Sequence, residues 1–404
     1  MQQQSFFSAP SDITINNFRK QSQFDQLPLL QQYRNNMQLL YKQAPIPHQK
    51  DDAWRFMPLP DFAWNELAMQ NAIVSSTIFK KGVFLGDIRD FVLQYPAIAQ
   101  QYFVNNGKEP WKKRLFSLLV ESCWNRGMVL YVPKNVSLDE IITVPTLLPY
   151  AASLIIEKLI IILEEGASIQ LNDIYFPHTV LQTVFRSIDC YLAKNAKLTM
   201  IYDQQGNNNQ SLVARTTFYL GEKSKLDFAF LMRGMKVNKL WLDLILQGQS
   251  AQAEVRGVYV LRDAQTIDIT SAQLHQQTHT TSNLVLKGIV SDQAHAVYRG
   301  TIFIDKKARR TDASQENKNM LLSAAARAHS IPSLEVLNHD VQCSHGSAVG
   351  QFDREQLFYA QTRGLTEKVA KKLLLEGFLS DLFCNFDVKI IEKILINLKN
   401  ELEI

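Results

Sequence analysis

The chain predicts a mainly β protein with helical ends. An α-helical N-terminal domain is expected over residues 1–127, a parallel β-helix over 128–350 and a C-terminal helical domain over 351–404. Three observations predict this. Apolar residues in the first stretch recur at helical spacing, runs rich in Val, Ile, Leu, Tyr and Thr replace them from Met128 onward, and the polar turns between those runs return at a nearly constant step.

Glutamine fills 11 of the first 50 positions, a surface-like bias. Within it, Leu29, Leu30, Tyr33, Met37 and Leu40 form the stripe of an amphipathic helix from Pro28 to Ala44. Pro28 suits its first turn, where the missing N–H costs nothing, and Pro45 and Pro47 stop it. Asp87 is placed to cap a helix running through Leu93, and Pro110 to open one that ends at Gly127.

The strand-rich region carries an internal repeat. The turns Pro133-Lys-Asn-Val136, Glu164-Glu-Gly-Ala167, Ala193-Lys-Asn-Ala196, Gly221-Glu-Lys-Ser224 and Gln247-Gly-Gln-Ser-Ala251 superpose, and their last residues step by 31, 29, 28 and 27. Half-steps follow, 13 from Ala251 to Ala264 and 14 from Ala294 to Ala308. Two strand–turn units per coil of a stacked solenoid give this pattern, each coil burying one edge of its neighbour. Evenly spaced hairpins of a β-sandwich are the alternative that spacing alone leaves open.

Helical signals return after residue 350. Asp353 with Gln356 has capping-box spacing, and Arg363-Gly364 supplies a C-cap. Thr366 caps a second helix, with Val369, Leu373, Leu374 and Leu375 expected inward, to Gly377. Asp387 caps a last one striped by Ile390, Ile391, Ile394, Leu395, Leu398 and Leu402.

Composition narrows the function. Forty-three basic against 39 acidic residues leave +4, too little for a dedicated nucleic-acid or anionic-membrane surface, so protein partners are expected. The apolar run Ser153–Leu163 is broken by Glu157 and Lys158 and falls well short of the ~20 residues of a membrane span. The N-terminus carries neither a signal peptide nor a presequence pattern, and Cys123, Cys190, Cys343 and Cys384 lie far apart. A reducing, cytoplasmic setting is expected. There is no phosphate loop, dinucleotide fingerprint, nucleophile elbow or kinase signature, and carboxylates are dispersed, so a free-standing enzyme is disfavoured.

The stretch Asp340-Val-Gln-Cys343-Ser-His345-Gly346 has the strongest chemistry. On a strand, Cys343 and His345 share one face, and a thiolate with an imidazole can hold iron or zinc once other groups complete the site. Such a pair is also a common structural arrangement. His275 and His279 sit in a polar stretch without an acidic partner, and a turn or solvent-facing role is expected. They remain the site residues of the competing reading, a solenoid enzyme acting on polysaccharide or another extended polymer. Lys306-Lys-Ala-Arg-Arg310 reads as a solvated basic loop or a contact for an acidic protein surface. Cys123 and Cys384 lie in helical stripes and read as core.

The series Ala308-Arg-Arg-Thr-Asp-Ala-Ser-Gln-Glu-Asn-Lys-Asn-Met-Leu-Leu-Ser323, Pro332-Ser-Leu-Glu-Val336, Asp340 to Gly346, Val349 to Tyr359 and Arg363-Gly-Leu365 closely resembles the signature of the SufB/SufD family, components of the SUF iron–sulfur cluster assembly machine. Ala53-Trp-Arg-Phe56 with Pro58-Leu59 resembles that family's N-terminal tryptophan–arginine element. Two features favour the SufD branch. SufB is longer and carries a cysteine in the segment that reads Gln315-Glu-Asn-Lys318 here, and it places acidic residues around the histidine where this chain has Ser344 and Gly346. The resemblance implies a right-handed parallel β-helix between helical domains, pairing with SufB through that β-helix, and binding of the ATPase SufC by the C-terminal domain. The expected SufC contact region is Asp353, Gln356, Leu357, Phe358, Tyr359, Arg363 and Gly364. It further implies a non-enzymatic scaffold with no stably bound cofactor, in which His345, with Cys343 beside it, contributes to a transient iron or iron–sulfur cluster site shared with SufB. Flavin association with the complex and homodimerisation of the isolated chain stay open.

Overall fold

A computed structural model describes residues 9–21, 23–48, 50–51, 53–57, 68–69, 77–78, 80–103, 114–144, 153–175, 182–351, 353–380 and 382. Pro58, Leu59, Pro110, Cys384 and the expected terminal helix from Asp387 lie outside these residues.

Among the described residues, five α-helices precede the solenoid: α1 (Asp12–Gln21), α2 (Pro28–Gln43), α3 (Ile88–Gln94), α4 (Pro96–Tyr102) and α5 (Leu115–Cys123). Pro28 opens α2, which buries Leu30, Tyr33, Met37 and Tyr41. Asp87 caps α3, its carboxylate accepting the Arg89 N–H at 2.8 Å. The helix expected to end at Gly127 stops at Cys123, because Gly127 already belongs to the first solenoid strand. A Cβ there would meet Ile88 Cδ1 at 2.7 Å, so glycine lets α3 approach the sheet.

Among the described residues, the short strands β1 (Ala68–Met69), β2 (Thr77–Ile78) and β3 (Phe84–Asp87) precede β4 (Arg126–Val132). Strands and corners then alternate: β5 (Ser137–Val144), β6 (Ser153–Leu163), β7 (Ser168–Tyr175), β8 (Gln182–Leu192), β9 (Lys197–Gln205), β10 (Gln210–Leu220), β11 (Lys225–Arg233) and β12 (Val237–Leu246). The stack continues with β13 (Gln252–Leu261), β14 (Thr266–His275), β15 (Thr281–Val290), β16 (His295–Ile304), β17 (Thr311–Leu321), β18 (Arg327–Val336) and β19 (Val341–Gln351). Even-numbered strands from β4 to β18 form one parallel sheet and odd-numbered strands from β5 to β19 the other. The expected parallel β-solenoid is therefore present.

The two ends of the stack differ. At the start, β3 lies antiparallel on β4, and the β5–β7 pairing is interrupted by a register shift between Ser137 and Ile141. At the other end, among the described residues, β18 and β19 each pair on one side only.

The corner between the sheets explains the repeat. Asn135, Gly166, Asn195, Lys223, Ser250, His279 and Arg310 all adopt a left-handed conformation, with φ between 52° and 70°. The residue after each turns toward the lumen, and Ala167, Ala196, Ser224, Ala251, Thr280 and Thr311 are buried. Only one of these corners uses glycine, which accounts for how few of the 16 glycines are needed here. On the opposite corner the inward residues are Gln265 and Ala294, so the half-step marked at Ala264 is off by one.

The lumen is apolar through the middle coils, with Phe218, Phe228, Phe230 and Leu242 buried. Burying such a side chain stabilises by roughly 1.5–3 kcal/mol. Glu157, which interrupts the apolar run in sequence, also points inward and pairs with Arg126 at 3.3 Å and Arg186 at 3.1 Å, while Arg186 reaches Asp173 at 2.8 Å. Lys158 points the other way, to the seam where the N-terminal helices cover the even-numbered sheet. There Lys158 Nζ meets Glu121 of α5 at 2.5 Å and Asp189 at 3.0 Å, and Arg215 binds Glu121 at 2.7 Å. Tyr33 of α2 donates to the same Glu121 at 2.8 Å. Burial pushes the Asp189 carboxyl up, but Arg215 and Lys158 together hold it well below the usual range.

After β19 come α6 (Arg354–Thr362) and α7 (Glu367–Ser380). Asp353 caps α6 by accepting from Glu355 N at 2.9 Å and Gln356 N at 3.3 Å, and Gly364 follows its C-cap with φ 90°. Helix α7 runs through Gly377 instead of ending there. Its buried residues are Ala370, Leu375 and Leu379, and the two leucines pack with Leu231, Val258 and Ile289 on the odd-numbered sheet. Val369 and Leu373, expected inward, are 49% and 54% exposed, because the stripe that meets the sheet is set by Leu375 and Leu379.

Candidate functional site at the open end of the solenoid

Among the described residues, strands β18 and β19 each leave one row of backbone groups without a strand neighbour, and Ile331, Leu334, Val336, Leu337 and Val349 are exposed beside them. An unpaired, apolar-flanked edge is a template for another strand. Cys343 and His345 lie on this last strand. In-register parallel pairing sets Cys343 over Ala313 and His345 over Gln315. Cys343 is half-buried and packs with Val341 against Ile302, Ile304, Ala308 and Ala313, while His345 is exposed at the mouth.

The Cys343 thiol is pushed up by burial and further by the charge of Asp312, so it is protonated at neutral pH until a metal ion displaces the proton. Among the described residues no three His, Cys, Asp or Glu side chains converge to hold a metal. Cys343 and His345 thus offer two of the four donors that an iron or zinc centre takes, on a strand whose other side is open to a partner.

The remaining expectations resolve individually. His275 points into the lumen, with Thr280 and Ser282 hydroxyls each 2.8 Å from its ring nitrogens, and burial lowers it to about 4, which keeps it neutral. His279 occupies a left-handed corner. The pair does not share a helix face, and the competing polymer-enzyme reading loses its histidines. The basic run is another corner: Ala308 is buried, and Arg310 N donates to Asp340 O at 2.6 Å. Cys123 and Cys190 are buried. In α6, Phe358 and Tyr359 are 68% and 62% exposed, on a helix with no buried residue. No described helix is long and apolar enough to cross a membrane.

Two features escaped the sequence reading. The Ala53–Met57 segment straps the N-terminal domain to the late coils: Lys239 Nζ donates to Ala53 O at 2.8 Å and lies 4.8 Å from the Trp54 ring, and Phe56 stacks on His329 of β18 at 4.5 Å. The inward face of β17 carries three buried amides, Gln315, Asn317 and Asn319. The signal for the second was present in Thr311–Asn319, where charged residues at Asp312, Glu316 and Lys318 alternate with uncharged ones.

Comparison with known proteins matches residues 148–378 to the SUF system FeS cluster assembly, SufBD core domain. An iron–sulfur cluster assembly SufBD family protein of Synechocystis sp. is 24% identical over 83% of this chain and 83% of its own length. SufBD family proteins of Staphylococcus saprophyticus and Staphylococcus epidermidis are 25% and 24% identical over 74% of this chain, which spans 64% of each of them. With the matched domain covering β6 through most of α7 and including both Cys343 and His345, the chain belongs to the SufBD family of iron–sulfur cluster assembly proteins.

Proposed function

We propose that this chain is a SufD-type, non-enzymatic scaffold subunit of a SufBCD complex, and that His345, with Cys343, supplies part of a site where iron–sulfur cluster is built as cargo. The observation that carries the reading is the placement of two soft-to-borderline donors on a terminal solenoid strand whose far side has no strand neighbour among the described residues. A SufB chain laid against β18 and β19 extends both sheets and brings the missing ligands. An imidazole ligand leaves a cluster more readily released than a thiolate does, which suits handover. The chain holds no cofactor of its own in this scheme.

The exposed faces of α6 and α7, with Phe358, Tyr359, Val369 and Leu373, suit a SufC ATPase whose ATP-driven motion passes to the SufB–SufD junction as a rigid-body shift. Because α7 also covers the odd-numbered sheet, point substitution tests this contact better than truncation: Phe358→Ser abolishes SufC binding while the fold persists. The central test is His345→Ala in the reconstituted complex. Loss of cluster assembly with the complex intact is expected, and normal assembly overturns the ligand role.

A further inference from the structure

We infer that the corner 305–310 is a docking site for an acidic segment of a further protein, separate from the free edges of β18 and β19 and from the exposed faces of α6 and α7. The corner ladder changes character along the stack. In the early coils its cations are matched by carboxylates one coil away, Lys134 by Glu165 at 2.6 Å and Lys194 by Glu222 at 3.0 Å. Between β16 and β17 stand Lys306, Lys307, Arg309 and Arg310, all exposed, and among the described residues none of the four makes an ion pair. The corner is also longer, 305–310 against 193–196 between β8 and β9. His279 on the coil below and His339 on the coil above are exposed as well.

The backbone that carries these cations is pinned from three sides. Ala308 is buried in the lumen. His279 N donates to Arg309 O at 2.8 Å from the coil below, while Arg310 N donates to Asp340 O at 2.6 Å and Asn338 Nδ2 to Lys306 O at 2.5 Å from the coil above. Asp305 Oδ1 accepts from Lys307 N at 3.1 Å within the corner. Packing here is carried by Ala308 and by backbone hydrogen bonds, so the four charged heads contribute repulsion and no cohesion to the fold. On a backbone already ordered they lose little conformational freedom on binding, and their field attracts an opposite charge.

The size and borders of the patch select the class of partner. Asp305, Asp312 and Asp340 flank it, so a long phosphate chain running off the corner meets like charge, and a net charge of +4 leaves no basic stripe to follow. A short run of Asp or Glu fits between those borders. Asp340, whose carbonyl Arg310 holds, precedes Cys343 by three residues, about 10 Å along an extended strand. A protein tethered at this corner therefore stands beside the mouth while the strand edges stay free.

The test is fluorescence anisotropy of fluorescein-labelled deca-glutamate with the full-length chain. Saturable binding that weakens with added salt is expected. Lys306→Gln with Lys307→Gln, and separately Arg309→Gln with Arg310→Asn, each weaken it roughly tenfold, as loss of two exposed cations does; asparagine tolerates the φ of 52° at position 310. Lys134→Gln with Lys194→Gln, which removes cations already paired, changes affinity less than about twofold. Carbodiimide coupling of the peptide to the unmodified protein joins it to Lys306 or Lys307 and needs no variant to fold. Equal losses in the Lys134 and Lys194 control, or coupling only at other lysines, overturn the inference. Decathymidylate bound as tightly as the peptide overturns it in favour of a phosphate polymer. Loss of peptide binding in the reconstituted complex assigns the corner to the SufB joint and overturns a separate partner.

Discussion

Replacing Glu121 by alanine tests how the N-terminal domain is fastened to the solenoid. The carboxylate sits between α5 and three strands and satisfies four groups: Lys158 at 2.5 Å, Arg215 at 2.7 Å, Ser187 at 3.0 Å and Tyr33 at 2.8 Å. Without it two cations, Lys158 and Arg215, share Asp189 alone in a region where all three are buried. Breaking a buried ion network on one side costs about 3–5 kcal/mol, chiefly because a charge is left uncompensated. At a urea slope of about 3 kcal/mol per M, a loss of 4 kcal/mol lowers the unfolding midpoint by roughly 1.3 M. Fluorescence is a direct reporter, since Trp124 is buried 5.9 Å from Tyr33 in the same seam. The double variant Glu121→Met with Lys158→Met leaves the Arg215–Asp189 pair balanced and loses less than the two single variants summed. A midpoint shift below about 0.3 M for Glu121→Ala, equivalent to ~1 kcal/mol and typical of a surface pair, refutes the argument.

Three further outcomes follow from the same geometry. Lys223 holds φ 53° without glycine; Lys223→Gly removes steric strain of about 1–2 kcal/mol at some cost in unfolded-chain entropy, so a stability gain of roughly 0.5–1 kcal/mol is expected in urea melts, and a loss contradicts it. His275 is lowered to about 4 by burial, so the unfolded chain takes up a proton first as pH falls below about 6.5. Stability drops by about 3 kcal/mol between pH 7 and 4 from this group alone, a slope that His275→Gln flattens and that an unaltered pH profile in the variant would disprove. Alkylation of Cys343 by iodoacetamide should show a pH midpoint above that of a free thiol, moving down in Asp312→Asn; a midpoint at or below the free-thiol value rules out the protonated thiol.

The parts of the fold set by local chemistry were legible. The corner ladder showed because each left-handed residue is followed by a small inward one, and Asp87, Asp353 and Gly364 act as caps as their spacing indicated. The parts decided by packing were not. Glu157 and Lys158 interrupt an apolar run in sequence, yet each is buried on its own face of β6 by partners 29 to 37 residues away. Helix α7 was assigned its inward stripe by periodicity, and the sheet beneath selected a rotated one. For the candidate site, the pairing of Cys343 with His345 followed from strand alternation, whereas the amides below them required the register of β17 on β19. Family resemblance named the site; it did not show that its floor is polar.

The unlike ends of the stack set a stoichiometry. A solenoid sticky at both ends would polymerise, each copy adding to the last. Here the first coil is covered by antiparallel β3 on one sheet and disturbed by the Ser137–Ile141 register shift on the other, next to Asp139 and Glu140. Among the described residues, the regular in-register free edges are those of β18 and β19. Two such chains meeting end to end would consume both free edges and growth would stop at the pair, so under the proposed pairing the joint that brings foreign ligands to Cys343 and His345 would also be the joint that prevents a filament.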